Sequence, residues 1–109
     1  MSTEEKRDLV ALHLPAKDYG AFLAAAAERS RQDGKWGPQD HDFASWLEIL
    51  MEEVGEACRA RMELRYRPEH SPGARHQQAM RLRDELVQVA AVALAMVECG
   101  EREGWFDPA

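Results

Sequence analysis

The sequence is poor in aromatic residues, in cysteine and in long apolar runs. Phe, Trp and Tyr make up 7% of the 109 residues, which disfavours a β-sandwich. The two cysteines, Cys58 and Cys99, form no CxxC pattern, so we expect small buried side chains in a reducing compartment. The longest uncharged apolar run, residues 89–97, is about half the length of a membrane span.

Basic residues are also in deficit. The 14 Lys and Arg against 20 Asp and Glu give a net charge of −6. A protein that binds nucleic acid polymers needs a basic face to displace counterions, so we expect no such partner, whereas a small anionic substrate remains compatible if a cation mediates. The N-terminal residues MSTEEKRDLV lack the apolar segment of a signal peptide, and we therefore expect a cytoplasmic protein with no membrane contact.

The residues that are abundant favour helices. The composition is 45% hydrophobic and 31% charged, as in globular proteins, and it includes alanine-rich runs. The length fits a single domain over residues 1–109. A monomer of this size buries only about two-thirds of its unfolded surface. We therefore predict an all-α fold, an antiparallel helical bundle that is completed by oligomerisation.

Capping residues set the predicted helix bounds. Asp42 and Ser71 suit N-caps, and Gly104 suits a helix stop. The Gly- and Pro-rich stretches 33–42 and 66–72 predict loops. The predicted helices are a short one over 3–12, one from Pro15 to about Asp33–Gly34, one from about Phe43 to Arg65, and one from Pro72 to Glu103. The short second loop makes the last two helices antiparallel neighbours.

The last predicted helix is very long for so small a protein. At about 1.5 Å per residue it would span roughly 48 Å, so we expect either a break or a partner subunit. Its segment VQVAAVALAMV, residues 87–97, is apolar on every side. A helix that is apolar all round is buried all round, which again predicts a dimer or a larger assembly.

Two acidic residues of the 43–65 helix lie outside its polar face. The apolar stripe that we predict to be the core of this helix comprises Leu47, Leu50, Met51, Val54 and Cys58. Glu52 falls on the opposite, solvated side. Glu53 and Glu56 share a third sector of the helical wheel with the apolar residues Ile49 and Ala60, so this sector is not a typical solvent-exposed surface.

The last helix carries a similar pair, Glu85 and Gln88, which project beside Val92 and Ala95. No charged residue occurs between Glu85 and Glu98. The polar Gln88 therefore lies in an apolar stretch and needs a hydrogen-bond partner, because an unpartnered buried amide costs roughly 1–3 kcal/mol.

Antiparallel packing can bring the two pairs together in one partly buried site. Like charges at that range disfavour ionisation, and a hard divalent cation such as Mg²⁺ or Mn²⁺ relieves the repulsion through carboxylate oxygens. The alternative is that the ExxE spacing marks an ordinary solvated helix and indicates only good helix propensity.

Two stretches of the sequence resemble a known family. The stretches RQDGKWGPQDHDFASWLEILMEEVGEACRA and RDELVQVAAVALAMVE look like the MazG-like all-α nucleoside triphosphate pyrophosphohydrolases, over about residues 28–100. The hallmark of that family is ExxE on one helix and ExxD on a later one. Glu53 and Glu56 match the first pair, Glu85 matches the first member of the second, and Gln88 stands where the pattern has Asp.

The resemblance implies an α-helical dimer or tetramer that hydrolyses a nucleoside triphosphate to the monophosphate and pyrophosphate. It implies Mg²⁺ held by Glu53, Glu56, Glu85 and Gln88, with Glu52 or Glu53 orienting the attacking water. Gln88 offers an oxygen but no charge, so the site should hold its cation more weakly. This departure favours an alternative function, a catalytically silent helical oligomer that binds a partner or a nucleotide without cleaving it.

Four further residues are candidates for substrate binding. Lys35, Trp36 and Gln39 lie in the predicted loop before the acidic helix, where Lys can meet phosphate, Trp can stack on a base and Gln can bond its edge. Arg81 projects on the side of Glu85 and can contact phosphate. The alternatives are a loop anchored by a buried Trp with Lys in solvent, and a structural salt bridge between Arg81 and an acid of the site.

Overall fold

The computed structural model describes residues 2–4 and 19–108 of the chain. The predicted all-α fold is confirmed, and no strand occurs within these residues. Three helices follow one another: α1 Tyr19–Trp36, α2 Phe43–Tyr66 and α3 Pro72–Glu103. Most of the predicted 3–12 helix, from residue 5 onward, and the predicted helix start at Pro15 lie outside the described residues.

The caps of α2 and α3 are the predicted ones. The Asp42 carboxylate accepts a hydrogen bond from the Ser45 backbone N–H at 2.7 Å, and the Ser71 hydroxyl accepts one from Ala74 at 3.1 Å. Such caps contribute about 1 kcal/mol each. Gly104 ends α3 in the left-handed conformation, with φ of 74°. The bounds of these two helices therefore agree with prediction to within one residue.

The predicted end of the first long helix is wrong. The helix α1 continues through Asp33 and Gly34 to Trp36. Gly37 is the residue that adopts a positive φ, 71°, and its N–H bonds the Asp33 carbonyl at 2.8 Å. Gly37 can adopt this conformation without strain because it lacks a Cβ. As a result, Lys35 and Trp36 lie in the last helical turn and not in a loop.

The central element is α3, which contacts both other helices. It runs antiparallel to α2, as predicted: Cys99 reaches the His41 carbonyl at one end, and Arg81 reaches Glu63 at the other. On its other side α3 contacts α1, where Arg29 bonds Glu98. The acidic segments of α2 and α3 consequently face each other near mid-length.

The core lies between α2 and α3. Its buried cluster comprises Trp46, Val92, Ala95 and Cys99, and Ile49, Leu50, Met96 and Trp105 pack against it. Ala57, Ala60 and Ala91 are also buried, and small side chains of this kind let helix backbones approach closely. Dispersion and burial of apolar surface at this contact hold the helices together.

The predicted core stripe of α2 is wrong for this chain. Of its five residues only Leu50 packs against the core cluster. The other four are exposed, and with Met62 they form what we call the outer stripe, comprising Leu47, Met51, Val54, Cys58 and Met62. The helix turns the face with Trp46, Ala57 and Ala60 toward α3 instead. The expectation that Cys58 is buried is wrong for the same reason, whereas Cys99 is buried.

The helix α3 is continuous over its 32 residues, so of the two expected alternatives, a break or a partner subunit, the break does not occur. The longest dimension of the chain is 54 Å. Leu94 and Val97 are exposed, and the apolar segment of α3 is therefore not covered on every side within one chain. None of the helices in the described part of the chain has the length and apolarity needed to cross a membrane.

Candidate metal centre

Three carboxylates from two helices meet where α2 and α3 pack. One oxygen of each of Glu53, Glu56 and Glu85 lies within 4.8 Å of an oxygen of the other two, and all three residues are half-buried. The three-residue spacing places Glu53 and Glu56 on one side of α2. The antiparallel partner α3 then brings Glu85 opposite them, as the sequence predicted.

The electrostatics of this cluster disfavour negative charge. Burial raises the pKa of Glu53, and the charges of Glu56 and Glu85 raise it further. Burial also raises the pKa of Glu85, assisted by a hydrogen bond with Glu56 and by its charge, while the nearby Arg81 acts in the opposite direction. Carboxylate oxygens in this arrangement suit a hard cation such as Mg²⁺ or Mn²⁺, whose charge would relieve the repulsion.

Gln88 lies one turn beyond Glu85 on α3. Its Oε1 accepts a hydrogen bond from Gln32 of α1 at 3.3 Å. The partner that an amide in this apolar stretch requires is therefore supplied by α1. Gln88 and Glu53 both line a cleft between the helices.

Glu28 of α1 is an acid that the sequence analysis missed. Its side chain is only 12% exposed and pairs with Arg31 at 2.5 Å. The hydrogen bond from Arg31 lowers the pKa of Glu28, and the side chain of Gln88 contributes to the same effect against the opposing effect of burial. The charge of Glu28 in turn helps to raise the pKa of Glu53. No sequence pattern shows this proximity, because it depends on how α1 is placed along α3.

The cleft beside the carboxylates has a volume of about 280 Å³, near the lower end of small-molecule sites. Trp46 lines it and is 3% exposed. Its indole nitrogen is buried and makes no hydrogen bond with the described residues, and a buried donor without an acceptor is costly.

Two of the predicted substrate residues line this cleft. They are Trp36, which is largely exposed at the end of α1, and Gln39, in the loop that follows. The cleft does not include Lys35, whose Nζ lies 4.7 Å from the centroid of the Trp36 ring. The alternative of a loop anchored by a buried Trp36 is wrong, because Trp36 is 53% exposed and is the last residue of α1.

The other predicted residues lie outside the cleft. Arg81 bonds Glu63 of α2 at 3.3 Å, so its salt bridge is with an acid that does not belong to the cluster. Glu52 is exposed, and its connection to the cluster is electrostatic, through its contribution to the raised pKa of Glu53.

Two arginines that sequence reasoning missed, Arg29 and Arg102, line the cleft. Arg29 pairs with Glu98 and Asp33, and Arg102 pairs with Asp40 at 2.8 Å. The two guanidinium groups and one member of the acidic cluster, Glu53, thus line one cleft. Guanidinium groups suit the oxygens of an anionic ligand, and carboxylates suit a divalent cation.

Comparison of the chain with protein-family models, with curated proteins and with solved structures found no match in any of the three. The MazG-like resemblance therefore rests on the two acidic segments themselves.

Proposed function

We propose that this chain is a nucleoside triphosphate pyrophosphohydrolase that depends on Mg²⁺, with Mn²⁺ as a substitute. The observation that carries the proposal is the meeting of Glu53, Glu56 and Glu85 within 4.8 Å, beside a cleft that Glu53 also lines. The reaction class comes from the resemblance of the two segments that contribute these acids. The products are a nucleoside monophosphate and pyrophosphate.

In this proposal, different residues bind the cation, orient the attacking water and contact the base. Glu53, Glu56 and Glu85 hold the cation, which supplies neutralisation of the developing phosphate charge when it is bound. Glu53 orients the attacking water, because it is the clustered carboxylate that also lines the cleft. Trp36 stacks on the base at the cleft edge.

The cleft arginines complete this arrangement on the phosphate side. Arg29 and Arg102 are held by acidic partners at the same cleft. Their guanidinium groups can exchange part of these pairings for phosphate oxygens, because bidentate Arg–phosphate hydrogen bonds are among the strongest polar contacts in proteins.

The test is pyrophosphate release from a panel of ribo- and deoxyribonucleoside triphosphates with Mg²⁺ or Mn²⁺. We expect Glu53→Gln and Glu56→Gln each to lower the rate by more than about 100-fold, because removing even an outer-shell partner of a metal typically costs 10–100-fold. Glu48→Gln, an exposed glutamate of the same helix, is the matched control and should leave the rate unchanged.

One observation favours the second candidate, a silent oligomer that binds a nucleotide or a partner without cleaving it. The amide oxygen of Gln88 accepts a hydrogen bond from Gln32 of α1 at 3.3 Å, and the amide brings no charge to the site. Nucleotide binding by calorimetry without pyrophosphate release, from a folded protein with either metal, would support this candidate and contradict the hydrolase.

We further propose that two copies of the chain associate through the outer stripe of α2. The spacings along the stripe, Leu47, Met51, Val54, Cys58 and Met62, alternate between four and three residues before a final four, as in a helix–helix seam. Four of the five side chains are between 39% and 59% exposed, so the stripe offers apolar surface that a second copy can bury.

A neighbouring apolar groove supports the same proposal. Next to the stripe, an apolar groove lined by Phe43, Met96, Val97 and Phe106 lies open. A second copy would cover apolar surface that three helices cannot cover alone.

A further inference from the structure

We propose that the second copy lies antiparallel along α2, so that the acidic half of one helix faces the basic half of the other. This inference rests on the proposed association through the outer stripe, and it specifies how the two copies are oriented. It is independent of the hydrolase, because the outer stripe and the acidic cluster lie on different faces of α2.

Charged residues are segregated along α2 and its two caps. Residues 42–56, which we call the acidic half, contain five acids and no basic residue. Residues 57–67, the basic half, contain four arginines and one acid, Glu63, which pairs with Arg81 of α3 at 3.3 Å. The formal charges of the halves are therefore −5 and +3. The outer stripe crosses the boundary, with three of its residues in the acidic half and two in the basic half.

The basic half is not neutralised within one chain. Arg61 and Arg65 are exposed, and neither forms an ion pair with any residue that the structure describes. They follow Cys58 by three and seven residues, so they continue the side of the helix that carries the stripe. Asp42 and Glu52 of the acidic half are exposed as well. Charges of both signs are thus available to a second copy beside an apolar seam.

Symmetry reduces the possible orientations to two. Identical chains that associate through the same surface are related by a two-fold axis, which leaves a helix packed on its own copy either parallel or antiparallel. The parallel arrangement would set basic half against basic half and acidic half against acidic half. The antiparallel arrangement sets each half against its opposite. Like charges across an interface disfavour it and opposite charges fix its register, so the charge pattern selects the antiparallel dimer.

Disulfide cross-linking of the full chain tests the orientation. In the antiparallel dimer, Leu47→Cys or Met51→Cys should form a disulfide with Cys58 of the second copy, and the two variants cover registers one turn apart. Positions 47 and 51 lie at least about 10 Å from Cys58 along the same helix, beyond the reach of a disulfide within one chain. Mild oxidation where light scattering shows association, followed by mass spectrometry, identifies the linked positions. Met51→Cys/Cys58→Ser is the control and should give no covalent dimer.

Reversal of one arginine tests the charge argument separately. In the antiparallel dimer, Arg65→Glu turns attraction into repulsion at both symmetric contacts and should weaken association by about 10-fold, as expected for exposed ion pairs. In a parallel dimer it would replace two facing arginines with two facing glutamates and leave association unchanged. Sedimentation velocity measures the effect. Arg83→Glu, at a 51% exposed position of α3, is the matched control, and far-ultraviolet circular dichroism checks that each variant is folded.

The outcomes separate the orientation from the other proposals. A wild-type disulfide between the two copies of Cys58 would overturn the antiparallel orientation and leave the outer-stripe dimer standing. No disulfide in either cysteine variant, or unchanged association of Arg65→Glu, would also overturn it. A wild type that is monomeric at every concentration would contradict both the dimer and its orientation. If the expected disulfides form while the wild type releases no pyrophosphate, the proposed hydrolase fails and the orientation stands.

Discussion

The two faces of α2 differ in a way that hydrophobic burial alone does not explain. The inner face, toward α3, carries Trp46 together with the acids Glu53 and Glu56. The outer face carries Leu47 and Met51, which are 42% and 59% exposed. Hydrophobic burial would by itself place the more continuous apolar stripe against the core. In the proposed dimer, α2 would serve two contacts, one with α3 beside the acidic cluster and one with a second copy through the outer stripe.

The inner contact can accommodate acids because other residues of that face supply the packing. A tryptophan buries about 150–250 Å², and Ala57 and Ala60 allow α3 to lie close. The acids follow in the turns between these residues, where the packing fixes their positions. A polar site on rigid helices is held more precisely than one on loops.

The largest expected contrast between the two faces is in stability. Trp46→Ala should lower the free energy of unfolding by about 3–5 kcal/mol, the usual cost of truncating a buried aromatic. Leu47→Ala, at the neighbouring position on the outer face, should lower the free energy of unfolding by less than Trp46→Ala does in dilute solution. Urea unfolding measured at two protein concentrations checks both values.

The concentration dependence makes this pair of variants informative about self-association. Unfolding of an associated protein depends on its concentration, so the cost of Leu47→Ala should grow as the concentration rises. If Trp46→Ala and Leu47→Ala lowered the free energy of unfolding equally at every protein concentration, the proposed difference between the two faces would be contradicted.

The second contrast is in assembly. Met51→Glu places a charge in the centre of the outer stripe, and burying an unpaired charge at an interface typically costs 2 kcal/mol or more, about 30-fold in the association constant. We expect the variant to shift from dimer toward monomer, as measured by light scattering after size-exclusion chromatography. Mn²⁺ binding at the inner face should persist.

Arg59→Gln is the matched control for this experiment. It changes the net charge by the same amount on the same helix, but at an exposed position outside the stripe. A wild type that is monomeric at all concentrations, or an Arg59→Gln variant that dissociates as readily as Met51→Glu, would contradict the proposed interface.

The sequence could predict the features of α2 and α3 that depend on local interactions, but not which face of α2 meets α3. The caps Asp42, Ser71 and Gly104 act through local hydrogen bonds and backbone conformation, so α2 and α3 were predictable. The convergence of Glu53 and Glu56 with Glu85 followed from antiparallel packing. Which of two apolar faces meets α3 was not predictable, because a helical wheel gives the faces and not their partners.

The remaining errors have similar local or tertiary causes. Either Gly34 or Gly37 could have ended α1, and only the structure shows that Gly37 takes the positive φ. Glu28 was missed because its place beside Gln88 depends on the position of α1 along α3, for which the sequence holds no periodic signal. Tertiary placement, not propensity, therefore separates the predicted part of the site from the rest.

The smallest contrast is in the pH dependence of stability, which should belong to the inner face alone. The folded-state pKa values of Glu53 and Glu85 are raised, so the folded chain binds these protons more tightly than the unfolded chain does. Stability from this source is present when both carboxyls are protonated. It is lost as the pH rises from the ordinary glutamate pKa of 4.5 through the raised values.

Other acids oppose this trend and require a difference measurement. Glu28, Asp40 and Asp42 have lowered pKa values, and their contribution is lost as the pH falls. The double variant Glu53→Gln/Glu85→Gln keeps these three groups, so the difference between its stability and that of the wild type isolates the cluster. In urea unfolding without metal, we expect the free energy of unfolding of the variant to increase relative to that of the wild type as the pH rises from 4.5 to 7.

If the proposed cation site is correct, saturating Mg²⁺ should reverse this difference at pH 7, because a cation that binds the folded wild type stabilises it by mass action, whereas the variant lacks two of the proposed ligands. A matching change on the outer face, Leu47→Ala, alters no titrating group and should leave the pH profile parallel to that of the wild type. If the pH profile of Glu53→Gln/Glu85→Gln were also parallel to that of the wild type, ionisation of Glu53 and Glu85 would not destabilise the folded chain. The inner face would then have no electrostatic requirement for a cation.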